Sequence, residues 1–154
     1  MKLEVFATGD VLAASGDTAR RATRLIETQL PRAAALLDHA PAAVEVQIIG
    51  DATMSRLHEQ FLGIEGPTDV LTFELDYDTG GRVTESSIAV CLDEAARQAA
   101  TRSHDTATEL LLYAVHGLLH LVGYDDHDPD DYAAMHAKED EILTALGVGR
   151  VFDD

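Results

Sequence analysis

The chain has 154 residues, of which 46% are hydrophobic, and a single cysteine; this is enough for one well-buried core, short for two, and excludes an intramolecular disulfide. A formal net charge of -17 argues against a surface built for non-specific attraction to phosphates. No apolar run reaches the ~18 residues needed to cross a bilayer, and the N-terminus turns polar at Thr8, Gly9 and Asp10 without the apolar core of a signal peptide, so we expect a soluble, intracellular, single-domain protein spanning 1–154.

In chain order, Leu3 to Ala7 has the composition of a short strand. Asp17 is placed to cap a helix that carries Arg20, Arg21 and Arg24 and buries Leu25 and Ile26, with Pro31 interrupting it and a second piece running through Arg32, Leu36 and Leu37. The four arginines define a candidate positive stripe, for which a solvated helix face is the simpler account. Val44 to Ile49 alternates and is β-branched, as a strand requires. Asp51 then suits the N-cap of a helix with Met54, Leu57 and Phe61 on one side. A glycine-containing loop leads through Pro67, Thr68 and Asp69 into a strand at Val70–Phe73, the kind of loop that holds substrate. Turn residues Asp78 to Gly81 separate it from a strand at Ile88–Leu92, which predicts a long hairpin with Cys91 as a buried thiol, and a helix begins at Asp93.

The next helix opens with Thr106 and Glu109 in capping-box spacing, and its leucines and Val115 make it apolar over most of its circumference. Two histidines interrupt that apolar surface in His116-Gly-Leu-Leu-His120-Leu-Val-Gly-Tyr-Asp-Asp-His127. Four residues turn a helix by about 400°, so His116 and His120 project from one face and can share an ion. Gly123 accepts the left-handed conformation that ends a helix and returns the chain, bringing Asp126 or His127 towards the same point. An unpartnered imidazole in a core costs on the order of 1 to 3 kcal/mol, which a metal ion would offset. Two imidazoles and a third donor with one open position is the composition of a catalytic zinc site; a structural site would want a fourth ligand, and Cys91 lies on a distant strand. His39, His58, His104 and His136 lack a ligand-type neighbour at helical spacing and are expected to have no direct role.

Asp128 and Pro129 have the pattern of a capped helix start, with Tyr132, Met135, Ile142, Leu143 and Leu146 on one face as far as Gly147. From Asp125 to Asp154 there are ten acidic residues against Lys138 and Arg150, so the helix and tail at 128–154 are strongly negative, a solubilising surface before it is a docking site for a basic partner.

The histidine segment, together with Gly-Pro67-Thr68-Asp69-Val70-Leu71-Thr-Phe, resembles the YbeY family of metal-dependent endoribonucleases, over most of the chain. The resemblance implies an α+β fold, a mixed, mostly four-stranded sheet packed with helices and related to zincin metalloproteases, with the two metal histidines on a buried helix. It also implies one zinc ion, cytoplasmic location, single-stranded ribosomal RNA precursor as substrate, ribosome maturation and quality control as the setting, and the small ribosomal subunit or its proteins as partner, with neither membrane nor nucleotide cofactor. Thr68 and Asp69 then become candidate substrate-holding residues in zinc-assisted phosphodiester hydrolysis. The family pattern puts a third histidine six positions after the second; here spacing favours Asp126 and residue type favours His127, and either supplies a suitable donor. Two further departures stand out. Phe61-Leu62 replaces the usual aromatic and arginine, removing a phosphate clamp that Arg56, Arg82 or Arg97 would have to replace, and Ser86-Ser87 replaces Gly-Asp. These changes keep open a ribosome-associated binding module with little nuclease activity. A zinc peptidase is the weaker rival, because Gly117 stands where the His-Glu-x-x-His motif needs its glutamate base.

Overall fold

The computed structural model describes residues 1–148; the end of the acidic tail, 149–154, lies outside the described residues. The elements are β1 (Lys2–Ala7), α1 (Gly9–Ala35), β2 (Ala43–Ile49), α2 (Asp51–Leu62), β3 (Val70–Tyr77), β4 (Val83–Cys91), α3 (Leu92–Ala99), α4 (Thr106–Leu121) and α5 (Pro129–Ala145). The strands form one mixed sheet in the order β1-β2-β4-β3, parallel except for the antiparallel β3–β4 hairpin. The architecture is therefore α+β, with four strands and five helices among the described residues, and α1 supplies the crossover that two parallel neighbours need.

Alternation along the central strands assigns the two faces. Val44, Val46 and Ile48 of β2 and Ile88 and Val90 of β4 point towards α1 and α4, while Ala89 and Cys91 turn to the other face and pack with Ile49, Met54 and Leu71. On α1, Ala19, Ala22, Ile26, Leu30 and Ala33 recur every three or four residues and close one side of the core. On α4 every residue from Glu109 to Leu121 is buried except His116 and His120. Gly117 explains how closely this helix sits on the sheet: a Cβ there would meet Ile88 Cγ2 at 3.0 Å, Thr72 Cγ2 at 3.1 Å and Val70 Cγ2 at 3.3 Å.

Several local expectations are corrected by tertiary contacts. Helix α1 begins at Gly9, well before Asp17, and bends at Ser15 (φ -144, ψ 44). Its first segment is anchored by buried Val11, and Asp17 pairs with Arg20. Pro31 does not interrupt the helix; burial of Leu30, Ala33 and Ala34 holds the last turn in spite of the missing N–H. The N-cap of α2 is Gly50 and not Asp51, whose N–H donates to Asp93 Oδ2 at 2.8 Å and whose carboxylate is forked by Arg97. Leu92 opens α3 and does not end β4. The capping box does not form: Asp105 caps α4 by accepting from the Thr108 N–H at 2.9 Å, and Glu109 is drawn into the core by Arg102 and His104. Phe61 and Tyr132 lie more than half exposed, Phe61 against Phe73 and Tyr132 against His136. Arg20, Arg21 and Arg32 are tied to Asp17, Asp105 and Gln29, so the arginine stripe is largely engaged within the fold.

Candidate active site

The site forms where the last turn of α4 meets the loop behind it and the edge strand β3. Helix α4 ends at Leu121, and Gly123, at φ +105, turns the chain back as a left-handed residue must. The returning loop presents the Tyr124 carbonyl to His120 Nδ1 at 3.1 Å. His116 Nδ1 meets the carboxylate of Glu139, a residue of α5 that is 1% exposed. With both Nδ1–H groups donating, the tautomers assigned from these bonds leave both Nε2 lone pairs free. They converge at 3.0 Å, and Asp126 Oδ2 stands 4.0 Å from His116 Nε2. Two lone pairs and a carboxylate so close repel one another unless positive charge lies between them. Ligand atoms of His116, His120 and Asp126 all fall within 4.8 Å of one another, so this donor set fits a divalent cation.

Electrostatics point the same way. Burial opposes a protonated His116, yet its bond to Glu139 and the negative charge of Glu139, Asp69 and Asp126 together raise its pKa above the ordinary imidazole value. This corner of the molecule attracts a cation.

The sequence-predicted residues divide as follows. His116, His120 and Asp126 come together. His127 is displaced: its side chain is 85% exposed, its Nε2 lies 3.3 Å from Asp125, and it groups with Asp125 and Asp126 instead. Asp69 lines the same cleft, about 1070 Å³ in volume, as do His116 and His120. Thr68 faces a smaller cavity on the far side of Asp69 and donates to Asp69 Oδ1 at 3.2 Å, the atom that also accepts the Val70 N–H at 2.8 Å. Among the described residues no lysine or arginine lines the cleft. Arg97 is committed to Asp51 and Glu94, and Arg56 donates to Thr53. In a third group of ligand-type atoms, Asp51, Cys91 and Asp93, the Asp51 carboxylate is forked by Arg97, and burial pushes the Cys91 thiol up to about 12, which leaves it protonated.

Sequence reasoning missed Glu139. A signal was available: it falls between Met135 and Ile142 at helical spacing, on the apolar face of α5, where an unpaired carboxylate would be costly. A charged residue in such a stripe points to a partner in another element.

The family model described as "Endoribonuclease YbeY" matches residues 12–147. A Chloroflexus aggregans protein named "Endoribonuclease YbeY" is 41% identical over 123 residues, covering 73% of this chain and 80% of that one. A Nocardioides protein of the same name is 38% identical over 114 residues, covering 70% and 76%. A solution structure of a Thermotoga maritima protein has a TM-score of 0.49 at 24% identity, covering 94% of this chain and 91% of that one. With a family match across almost all of its described length and relatives at this identity, the chain belongs to the endoribonuclease YbeY family.

Proposed function

We propose that this chain is a cytoplasmic endoribonuclease of ribosomal RNA maturation and ribosome quality control, working on precursor RNA at the small ribosomal subunit as one zincin-like hydrolase domain. The carrying observation is the convergence of the His116 and His120 Nε2 atoms at 3.0 Å beside Asp126. These three residues would hold one zinc ion, and Glu139 and the Tyr124 carbonyl orient the two imidazoles through their Nδ1–H groups. When bound, the ion would supply Lewis acidity, lowering the pKa of water towards ~7 and polarising a phosphoryl oxygen. Asp69, anchored by the Val70 N–H and the Thr68 hydroxyl, offers a fixed carboxylate at the cleft wall to orient the attacking water or a ribose hydroxyl. His127, exposed at the mouth, is available to substrate rather than to the ion.

The experiment is to assay the purified, zinc-supplemented chain on precursor ribosomal RNA and on casein, with and without chelator, alongside elemental analysis. RNA cleavage that a chelator abolishes and zinc restores is expected. A folded protein that carries no metal and cleaves no RNA would end this reading. One observation favours a second reading, a ribosome-associated binding module with little nuclease activity: Leu62 stands in a cleft that, among the described residues, offers no lysine or arginine to a scissile phosphate. Peptide hydrolysis is disfavoured by geometry as well as by motif, because position 117 faces the side chains of β3 and β4 and leaves no room for a glutamate base.

A further inference from the structure

We propose that the cleft takes single-stranded RNA by its bases, stacked on Phe61 and Tyr77, and makes almost no use of phosphate charge. This rests on the endoribonuclease reading and specifies how that substrate is held.

Two observations carry it. The first is the charge of the lining: Asp69, Glu74, Asp125 and Asp126 face the cleft, with no lysine or arginine among its described residues. Affinity for nucleic acid ordinarily comes from cations that displace condensed counterions, and each such contact steepens the salt dependence. Four carboxylates in this lining disfavour a phosphate away from a bound ion and His127, so the backbone is a poor handle. The second is the apolar surface in the same cleft. Phe61, Leu62, Leu75 and Tyr77 are 55%, 58%, 60% and 51% exposed. Large apolar side chains left open together mark a binding surface.

Each ring is braced by a neighbour. Phe61 is braced edge-on by Phe73, with ring centroids 5.0 Å apart, and the Tyr77 hydroxyl donates to Glu74 Oε2 at 2.6 Å. Rigid aromatic platforms are what unpaired bases stack upon, whatever their identity. The platforms are continuous with the cleft that His116 and His120 line, so a strand held by its bases would pass beside the imidazoles. A duplex keeps its bases stacked internally and has nothing to offer these rings.

The test is the binding of a short, labelled single-stranded RNA to the full zinc-supplemented chain, read by stopped-flow anisotropy before cleavage accumulates, with cleavage of the same RNA followed separately. The expected result is a Kd that weakens less than about fivefold between 50 and 200 mM salt, about tenfold weaker binding for Phe61→Ala and for Tyr77→Ala, and retention in Tyr77→Phe. Leu62→Arg should steepen the salt slope by about 0.7 in log–log terms. Steeper salt dependence in the parent chain, equal binding of the matching duplex, or ring variants that bind normally would each overturn the inference. So would ring substitutions that only turn a dimer into a monomer by sedimentation, since the apolar rim would then belong to a second copy. If RNA is cleaved while either ring variant binds normally, only this inference fails; if nothing binds or is cleaved, the endoribonuclease reading fails with it.

Discussion

Helix α4 carries a buried acidic partnership at each end, and the two are built differently. At its start, Glu109 is fully buried and met by the Arg102 guanidinium at 2.6 Å, with His104 Nε2 at 3.3 Å. At its end, Glu139 is equally buried, and its partners among the described residues are imidazoles, His116 directly and His136 Nδ1 at 3.8 Å. The first carboxylate has a permanent counter-charge, so the network is complete within the protein. The second has partners whose charge depends on a proton, and the far nitrogen of one of them opens onto a cleft. A buried acid met by a fixed cation is neutralised within the fold, whereas one met by His116 Nδ1 sets which ring nitrogen carries the proton.

The same substitution at the two ends should therefore act in different ways. Glu109→Gln removes the charge of a fully buried carboxylate that Arg102 meets at 2.6 Å, and we expect a loss of about 3 kcal/mol in stability, measured by urea denaturation, with zinc stoichiometry unchanged. Packing between the two ends is tested by Gly117→Leu: the added atoms collide with Ile88, Thr72 and Val70, costing about 2 kcal/mol and weakening zinc affinity as α4 moves off the sheet. Glu139→Gln keeps an acceptor for the His116 Nδ1–H but removes its charge. Zinc affinity should fall about tenfold in a competitive chelator titration, while the metal-free protein changes by less than about 1 kcal/mol. If Glu139→Gln unfolded the chain and Glu109→Gln did not, the contrast would be reversed and the assignment of roles wrong.

The smallest effect belongs to the N-cap of α4. Burial pushes the Asp105 carboxyl up, but bonds from Thr108 and Arg21 outweigh it and hold its pKa below the usual carboxylate value. A depressed folded-state pKa stabilises above the unfolded value of ~3.9, and the contribution is lost as pH falls through the folded value. Asp105→Ala should thus cost about 1 kcal/mol near neutrality, and parent and variant should converge in strong acid. A difference that persisted at low pH would mean that the carboxylate charge is not what caps the helix.

How much of this was legible in sequence can be followed residue by residue. The pairing of His116 with His120, the turn at Gly123, the β3–β4 hairpin and the cap at Asp128 all follow from local rules, because helical periodicity, left-handed glycine and Asx capping act over a few residues. The strand order, the early start of α1 at Gly9 and the cap that Asp93 lends to α2 do not, since each depends on residues far apart in the chain. The choice between Asp126 and His127 has the same cause: the spacing after His120 is readable in sequence, but only the folded loop brings the Asp126 carboxylate near the two imidazoles.

By itself, the sequence determined the chemistry that the chain can offer: two imidazoles on one helix face, a returning acidic loop, and no arginine at position 62. Tertiary structure alone decided that Glu139, 23 positions after His116, would orient that imidazole, that Asp126 would join the cluster while His127 faced outward, and that no lysine or arginine among the described residues would line the cleft. The physical reason is range. Backbone preferences and side-chain periodicity act within a turn or two of helix, whereas the pairing of a buried charge is settled only when distant elements pack and water is excluded between them.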